Sequence, residues 1–220
     1  MRVYNLTTAQ YALSNIALQR LKVARYDQLN DPFELLAVDV ASQDLRAGIL
    51  AKKMQVHSQE GLICFSRNWK NPLLWSHYAE KHAGIGLGFD IPDNLLVPVN
   101  YVQGLQKLNV LSRQTSQQAI DKFLARLRYT KFKDWEYEEE LRQFVALTGL
   151  EDQSGLYFRP FSDELLLREV ILGPRCDIPI RLVRNLVAGF SQKILVSKAR
   201  IAYTKFGVVE DRGYREKKSA

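Results

Sequence analysis

The chain has 220 residues, 46% of them hydrophobic, and 31 Lys and Arg against 24 Asp and Glu, a net charge of +7. That length holds one domain with a real core; no apolar run approaches the ~20 residues that span a bilayer, and the opening MRVYNLTTAQ lacks an apolar signal-peptide core. Two cysteines, Cys64 and Cys176, argue against a disulfide framework and fit buried thiols in a reducing cytoplasm, while the positive charge permits a phosphate-rich partner.

In chain order, residues 2–6 read as a short strand. Thr7 or Thr8 caps a helix with Ala9, Ala12, Leu13 and Ile16 on one face. Residues 21–25 alternate as a strand does. LNDPFE (residues 29–34) is a turn, because Asn30 and Asp31 bond their own backbone and Pro32 fixes φ. Phe33 is expected to anchor that turn to the core. Asp31 and Glu34 read as solvated turn acids, with a ligand-facing role as the alternative. Residues 42–56 read as a helix, although Gly48 inside it costs about 1 kcal/mol against Ala.

Residues 61–90 are the densest stretch: strand, loop, helix, strand. Leu62, Ile63, Cys64 and Phe65 form an apolar run ending at Ser66, and Asn71 followed by Pro72 starts a helix. Trp75, Tyr78, Ala79 and His82 recur at helical spacing, and Gly84 is the expected stop. Leu87 and Phe89 then alternate with glycines up to Asp90. This unit is expected to form one wall of a ligand pocket.

Residues 95–102 read as a strand with Pro98 near an edge. Residues 116–129 read as a helix with Ile120, Phe123, Leu124 and Leu127 inward. Residues 135–142 alternate with period two and read as a strand, with Glu136, Glu138, Glu140 and Arg142 on one face. A strand is expected at 168–172, a helix from Pro179, and strands at 194–196 and 199–203. Without a regular βαβ rhythm the fold class is α+β: one domain over 1–207, a mostly antiparallel, split sheet with flanking helices, and a basic, flexible tail over 208–220.

The chemistry is narrower than the composition. No metal motif appears, since His77 and His82 are five apart and do not stack on a helix. GIGLGF lacks the lysine and following helix of a phosphate loop, so its glycines are read as allowing a backbone or ligand to approach a strand. Ser66, His77 and Asp90 make a triad only on paper. The acidic strand is the better lead: clustered carboxylates in a pocket need a cationic partner or a raised pKa, and Arg142 is the obvious partner. One such acid can act as a base or stabilise a cationic transition state. Trp75, Tyr78 and Trp135 are expected to supply a flat aromatic wall. A separate basic run (Lys122, Arg126, Arg128, Lys131 and Lys133, with no acid among residues 122–133) is the expected nucleic-acid surface.

Three motifs together resemble an uncharacterised bacterial family known as a domain of unknown function: NDPFE (30–34), CFS followed by LLWSHYAEKHAGIGLGFD (64–90), and Lys131, Trp135, Tyr137, Glu138, Glu140 and Arg142 in a K-x-x-x-W-x-Y-E-x-E-x-R pattern. The order of elements is also similar to the ADP-ribosyltransferase superfold. That resemblance implies an NAD-using enzyme in which Tyr4 and Asn5 on the first strand, together with Ser66, Trp75, Tyr78 and Arg142, hold the cofactor. It implies that Glu138 or Glu140 stabilises the oxocarbenium-like state as nicotinamide leaves. The first strand lacks the Arg or His usual there, and Ser66 stands without an S-T-S triplet. The expected function is a cytoplasmic ADP-ribosyltransferase-like enzyme acting on nucleic acid in a defence or toxin system. The alternatives are a non-catalytic nucleic-acid or nucleotide-binding module and a metal-dependent nuclease.

Overall fold

The computed structural model describes residues 1–39, 43–107, 117–150 and 155–214. The elements run β1 (Arg2–Thr7), α1 (Ala9–Ala17), β2 (Arg20–Val23), β3 (Val38–Asp39), α2 (Gln43–Gln59), β4 (Glu60–Ser66), α3 (Pro72–Tyr78), β5 (Ile85–Asp90), β6 (Val97–Pro98), β7 (Asn100–Val102), β8 (Gln106–Lys107), α4 (Gln117–Leu127), β9 (Thr130–Phe132), β10 (Glu140–Ala146), β11 (Tyr157–Pro160), β12 (Leu166–Leu172), α5 (Ile180–Val187), β13 (Leu195–Ile201) and β14 (Val208–Glu210). Local chemistry sets the helix starts. The Thr8 side chain accepts from the Tyr11 N–H at 3.3 Å, and Asn71 Oδ1 accepts from Leu73 N–H at 2.9 Å with Pro72 at the first helical position.

Eight strands form the main sheet, in the order β14-β13-β12-β5-β1-β4-β10-β6. Neighbours are antiparallel except β12 and β13, which are parallel and connected through α5. The fold is therefore α+β, a single domain on a mostly antiparallel sheet. One face packs Val3, Phe65, Leu87, Phe89, Leu141 and Val170 with α1 and α5; another cluster gathers Trp69, Trp75 and Ile171.

The sheet is not evenly zipped. β1 pairs with β5 over six positions, from Arg2–Asp90 to Thr7–Ile85, but meets β4 at a single register position, Tyr4–Ser66. Past that point β4 pairs instead with the chain after β2: Ala24 and Leu62 exchange two backbone hydrogen bonds of 2.9 Å. Asn5 spans the opening, its side-chain amide donating to the Cys64 carbonyl at 3.1 Å. A split between β1 and β4 results, and it positions the site described below.

Several expectations are corrected. Residues 133–138 form a 3-10 helix, and Glu139 takes a left-handed φ of 45°, so the strand begins only at Glu140. Residues 195–201 form one strand rather than two, because Lys198 continues it with its ammonium buried and bonded to the carbonyls of Gly173 and Cys176. The strand expected at 95–102 breaks at Val99, where the chain changes partners from β10 to β9. The boundary at 207 also fails, because Val208–Glu210 pairs with β13; residues 215–220 lie outside the described residues. Phe33 is 54% exposed rather than seated in the core, whereas Asp31 and Glu34 are buried.

Candidate functional site

A cleft of about 450 Å³ opens where β1 and β4 part. β1 contributes Tyr4, Asn5 and Leu6; β2 contributes Lys22; the NDPFE turn contributes Asn30 and Glu34. β4 supplies Cys64 and Ser66, α3 supplies His77 and Tyr78, and Lys131, Glu138 and Glu140 close the base. The 61–90 unit, expected to form one wall of a pocket, thus meets the acids there, and they arrive on a turn as well as a strand.

At the base lies a buried charge cluster of three carboxylates and two cations. Lys131 Nζ donates to Glu138 Oε2 at 2.5 Å and to Glu140 Oε2 at 3.2 Å. Arg142 donates to both oxygens of Glu140 (2.8 and 3.1 Å), to both oxygens of Glu34 (2.8 and 2.6 Å) and to the Arg128 carbonyl at 2.8 Å. Arg142 is wholly buried, so this planar, bidentate pairing is what makes its burial tolerable. The remaining oxygen of Glu138 accepts from the Tyr78 hydroxyl, which in turn accepts from the Asn30 amide at 2.7 Å.

The left-handed Glu139 explains how Glu138 and Glu140 converge without sharing a strand. Glu139 turns outward, accepting from the Asn68 amide at 2.9 Å, while the flanking acids both reach Lys131. Ser66 fixes that reversal from β4: its hydroxyl lies 2.6 Å from the Glu138 carbonyl and 2.8 Å from the Asn68 carbonyl, donating to one at a time. The Tyr101 hydroxyl accepts from the Glu140 N–H at 2.8 Å.

The two acids are not equivalent. Burial raises Glu140, but Arg142 and Lys131 together outweigh it and hold the carboxyl down at about 2. Burial also pushes Glu138 up, and there Lys131 and Tyr78 offset only part of the effect, so it sits above the usual carboxylate range. Glu34 is raised in the same way, with Arg142 compensating in part. Burial lowers Lys131, yet Glu140 and Glu138 more than reverse it and keep the ammonium charged. Burial and the adjacent Glu138 push the Tyr78 phenol far up, so it stays a donor.

The expected site residues divide accordingly. Glu138, Glu140, Tyr4, Asn5, Ser66 and Tyr78 line the cleft; Trp75 and Arg142 do not. Trp75 is fully buried in the core, its indole donating to the Trp69 carbonyl, and Arg142 lies beneath the base, bonded to protein on every side. Tyr4 also points its hydroxyl away, toward Glu169. Of the expected aromatic wall, Tyr78 and Trp135 cluster as expected and Trp75 does not, while His77 and Tyr137 join: the His77 ring centroid lies 6.2 Å from Tyr78, 6.2 Å from Trp135 and 6.1 Å from Tyr137. The glycines of the GIGLGF run admit protein rather than ligand. A Cβ on Gly84 would sit 2.2 Å from the Thr7 carbonyl oxygen, and one on Gly88 would sit 3.1 Å from the Tyr4 ring.

The basic run does not form one surface. Lys131 is buried in the cluster, Arg128 pairs with Glu60, Lys133 pairs with Glu136, and only Lys122 and Arg126 are left on the exposed side of α4. Lys131, Glu34, Asn30, His77 and Lys22 line the cleft but were not among the expected site residues. Two of them lie in NDPFE and one in the basic run, where solvated turn acids and an exposed cationic surface are the first reading. Among the described residues no group of three or more His, Cys, Asp or Glu is arranged to hold a metal ion, and no helix is long and apolar enough to cross a membrane. No family model, no curated protein and no solved structure matches the chain.

Proposed function

We propose that the cleft is the active site of an ADP-ribosyltransferase-like enzyme that uses NAD, with Glu138 as its catalytic carboxylate. The observation that carries this reading is the placing of Glu138: a buried carboxylate at the base of a split between β1 and β4, raised above its ordinary pKa and held by Lys131 and Tyr78. An anion destabilised by burial is relieved when positive charge develops beside it, and a dry, preorganised carboxylate is therefore suited to stabilising a cationic sugar carbon. NAD supplies the glycosidic bond whose cleavage creates that charge. The chemistry of the lining fits the group: Asn30 and Tyr78 offer hydroxyl and amide partners for a ribose, the His77 ring lies alongside, and Lys22 stands at the wall as a cation for phosphate.

The other readings have less support. The cations of the basic run are scattered or paired, which weakens a phosphate-tracking binding module. A nuclease metal would have to displace Lys131 and Arg142 from carboxylates they already bind.

The test is nicotinamide release by the purified chain and by Glu138→Gln. Removing one acid from a cluster with more carboxylates than cations leaves the fold intact, so the variant keeps its thermal midpoint while release falls about 10²–10³-fold. NAD at 100 times its Kd adds about 2.7 kcal/mol of stability to the wild type. A fully active Glu138→Gln variant, or no thermal shift in millimolar NAD, overturns the assignment.

A further inference from the structure

We infer that the aromatic wall at the mouth of the cleft is a nucleobase-stacking subsite for the acceptor substrate. This rests on the glycosyl-transfer reading of the cleft and extends it to the class of molecule that receives the group. His77 and Tyr78 line the cleft, whereas Trp135 and Tyr137 stand beyond it, so the wall continues outward from the reacting end. His77 joins its rings: it is 6.2 Å from Tyr78, 6.2 Å from Trp135 and 6.1 Å from Tyr137 at the centroids, and Trp135 and Tyr137 are 6.0 Å apart. His77 is exposed, and Trp135 and Tyr137 are half-buried, so ring surface faces solvent next to the one acid poised for chemistry.

The charges around the wall select the kind of occupant. Lys131 Nζ lies 4.7 Å from the Trp135 ring centroid and is already bonded to Glu138 and Glu140. Lys133 at the rim is paired with Glu136, while Asp134 is exposed beside it. A rim without free cationic excess does not track a phosphate backbone. It takes the flat face of a base, which stacks on aromatic rings irrespective of sequence. The acceptor is therefore an unpaired nucleobase, in a nucleoside or a single strand, because a base within a duplex cannot lay its face on the wall without leaving the stack.

Tryptophan fluorescence reads this subsite directly. Trp69 and Trp75 are 8% and 0% exposed, so quenching by a stacked base reports Trp135. Adenosine and a labelled unpaired oligodeoxynucleotide are expected to quench it, with Tyr137→Ala weakening binding about tenfold and a duplex of the same sequence binding far less. Trp135→Phe keeps a ring and removes the reporter, so quenching disappears while anisotropy of the labelled oligonucleotide still shows binding. No quenching by either probe, equal binding of duplex and single strand, or NAD alone quenching fully and competing with adenosine each overturns the inference; the last assigns the wall to the donor. Labelling of protein acceptors without oligonucleotide binding overturns it as well. Because quenching needs no turnover, it stands or falls separately from nicotinamide release.

Discussion

Replacing Lys131 with Met tests how the charge cluster is held together. The substitution removes the cation that lies 2.5 Å from Glu138 and 3.2 Å from Glu140 and leaves a chain of similar length. Glu140 keeps both of its bonds to Arg142, whereas Glu138 keeps only the Tyr78 hydroxyl. An uncompensated buried charge costs about 3–5 kcal/mol, but Glu138 can escape by binding a proton. Protonating an ordinary carboxylate at pH 7 costs about 1.4 kcal/mol for each unit above its unfolded pKa of about 4.3, which caps the loss near 4 kcal/mol. At pH 5 the same cap is only about 1 kcal/mol. The sign follows from the raised folded pKa: stability is fully present below the unfolded pKa and is lost as pH rises through the folded one. Urea denaturation from pH 5 to pH 8 should therefore show a deficit that grows with pH, and Lys131→Met/Glu138→Gln should recover most of it. A deficit of equal size at pH 5 and pH 7, unrelieved by the second substitution, would refute this account of the cluster.

Two further outcomes follow from the same geometry. Arg142→Lys replaces a planar fork that bonds Glu34, Glu140 and a carbonyl at once, so it is expected to lose about 3–5 kcal/mol by urea denaturation despite keeping the charge. Acid should also separate activity from stability. Glu140, held at about 2, contributes stability that is present above its unfolded pKa and is lost only as pH falls toward 2. Glu138 is raised, so nicotinamide release should fall at a pH above the usual carboxylate range while circular dichroism still reports a folded chain.

Much of the fold was legible because its signals are local. Thr8, Asn71 and Pro72 satisfy or replace backbone donors within their own turns, and Leu62–Phe65 is apolar because β4 is covered on both faces. The site was legible only in part. Residues 135–142 carry a period-two pattern, yet the buried Glu138 answers to Lys131, Tyr78 and Ser66, partners that a local pattern does not encode. Lys131 looked like one more cation in a basic run, since nothing in its neighbours announces two carboxylates from the following turn and strand. Glu34 looked like a turn acid, because its partner Arg142 lies 108 residues away. Trp75 misled in the opposite direction: helical spacing placed it beside Tyr78, but the two side chains leave α3 toward different surroundings, one into the core and one into the cleft.

The split in the sheet and the charge cluster explain each other. β10 stays paired with β4 along its whole length, but its first residue, Glu140, lines the cleft that opens where β1 leaves β4, and carboxylates placed there need cations from elsewhere. Arg142 reaches them from the same strand and binds the NDPFE turn through Glu34, so the turn carrying Asn30 is fixed by the same guanidinium that fixes Glu140. Asn30 in turn bonds Tyr78, and Tyr78 bonds Glu138. Glu140 has both oxygens taken up by Arg142, with Lys131 adding a further bond, and is kept ionised, which suits it to scaffolding. Glu138 carries one bond on each oxygen, retains a lone pair on each, and its charge is less stabilised than that of Glu140. Of two neighbouring carboxylates on one lysine, the proposed function assigns the chemistry to the one the protein stabilises less.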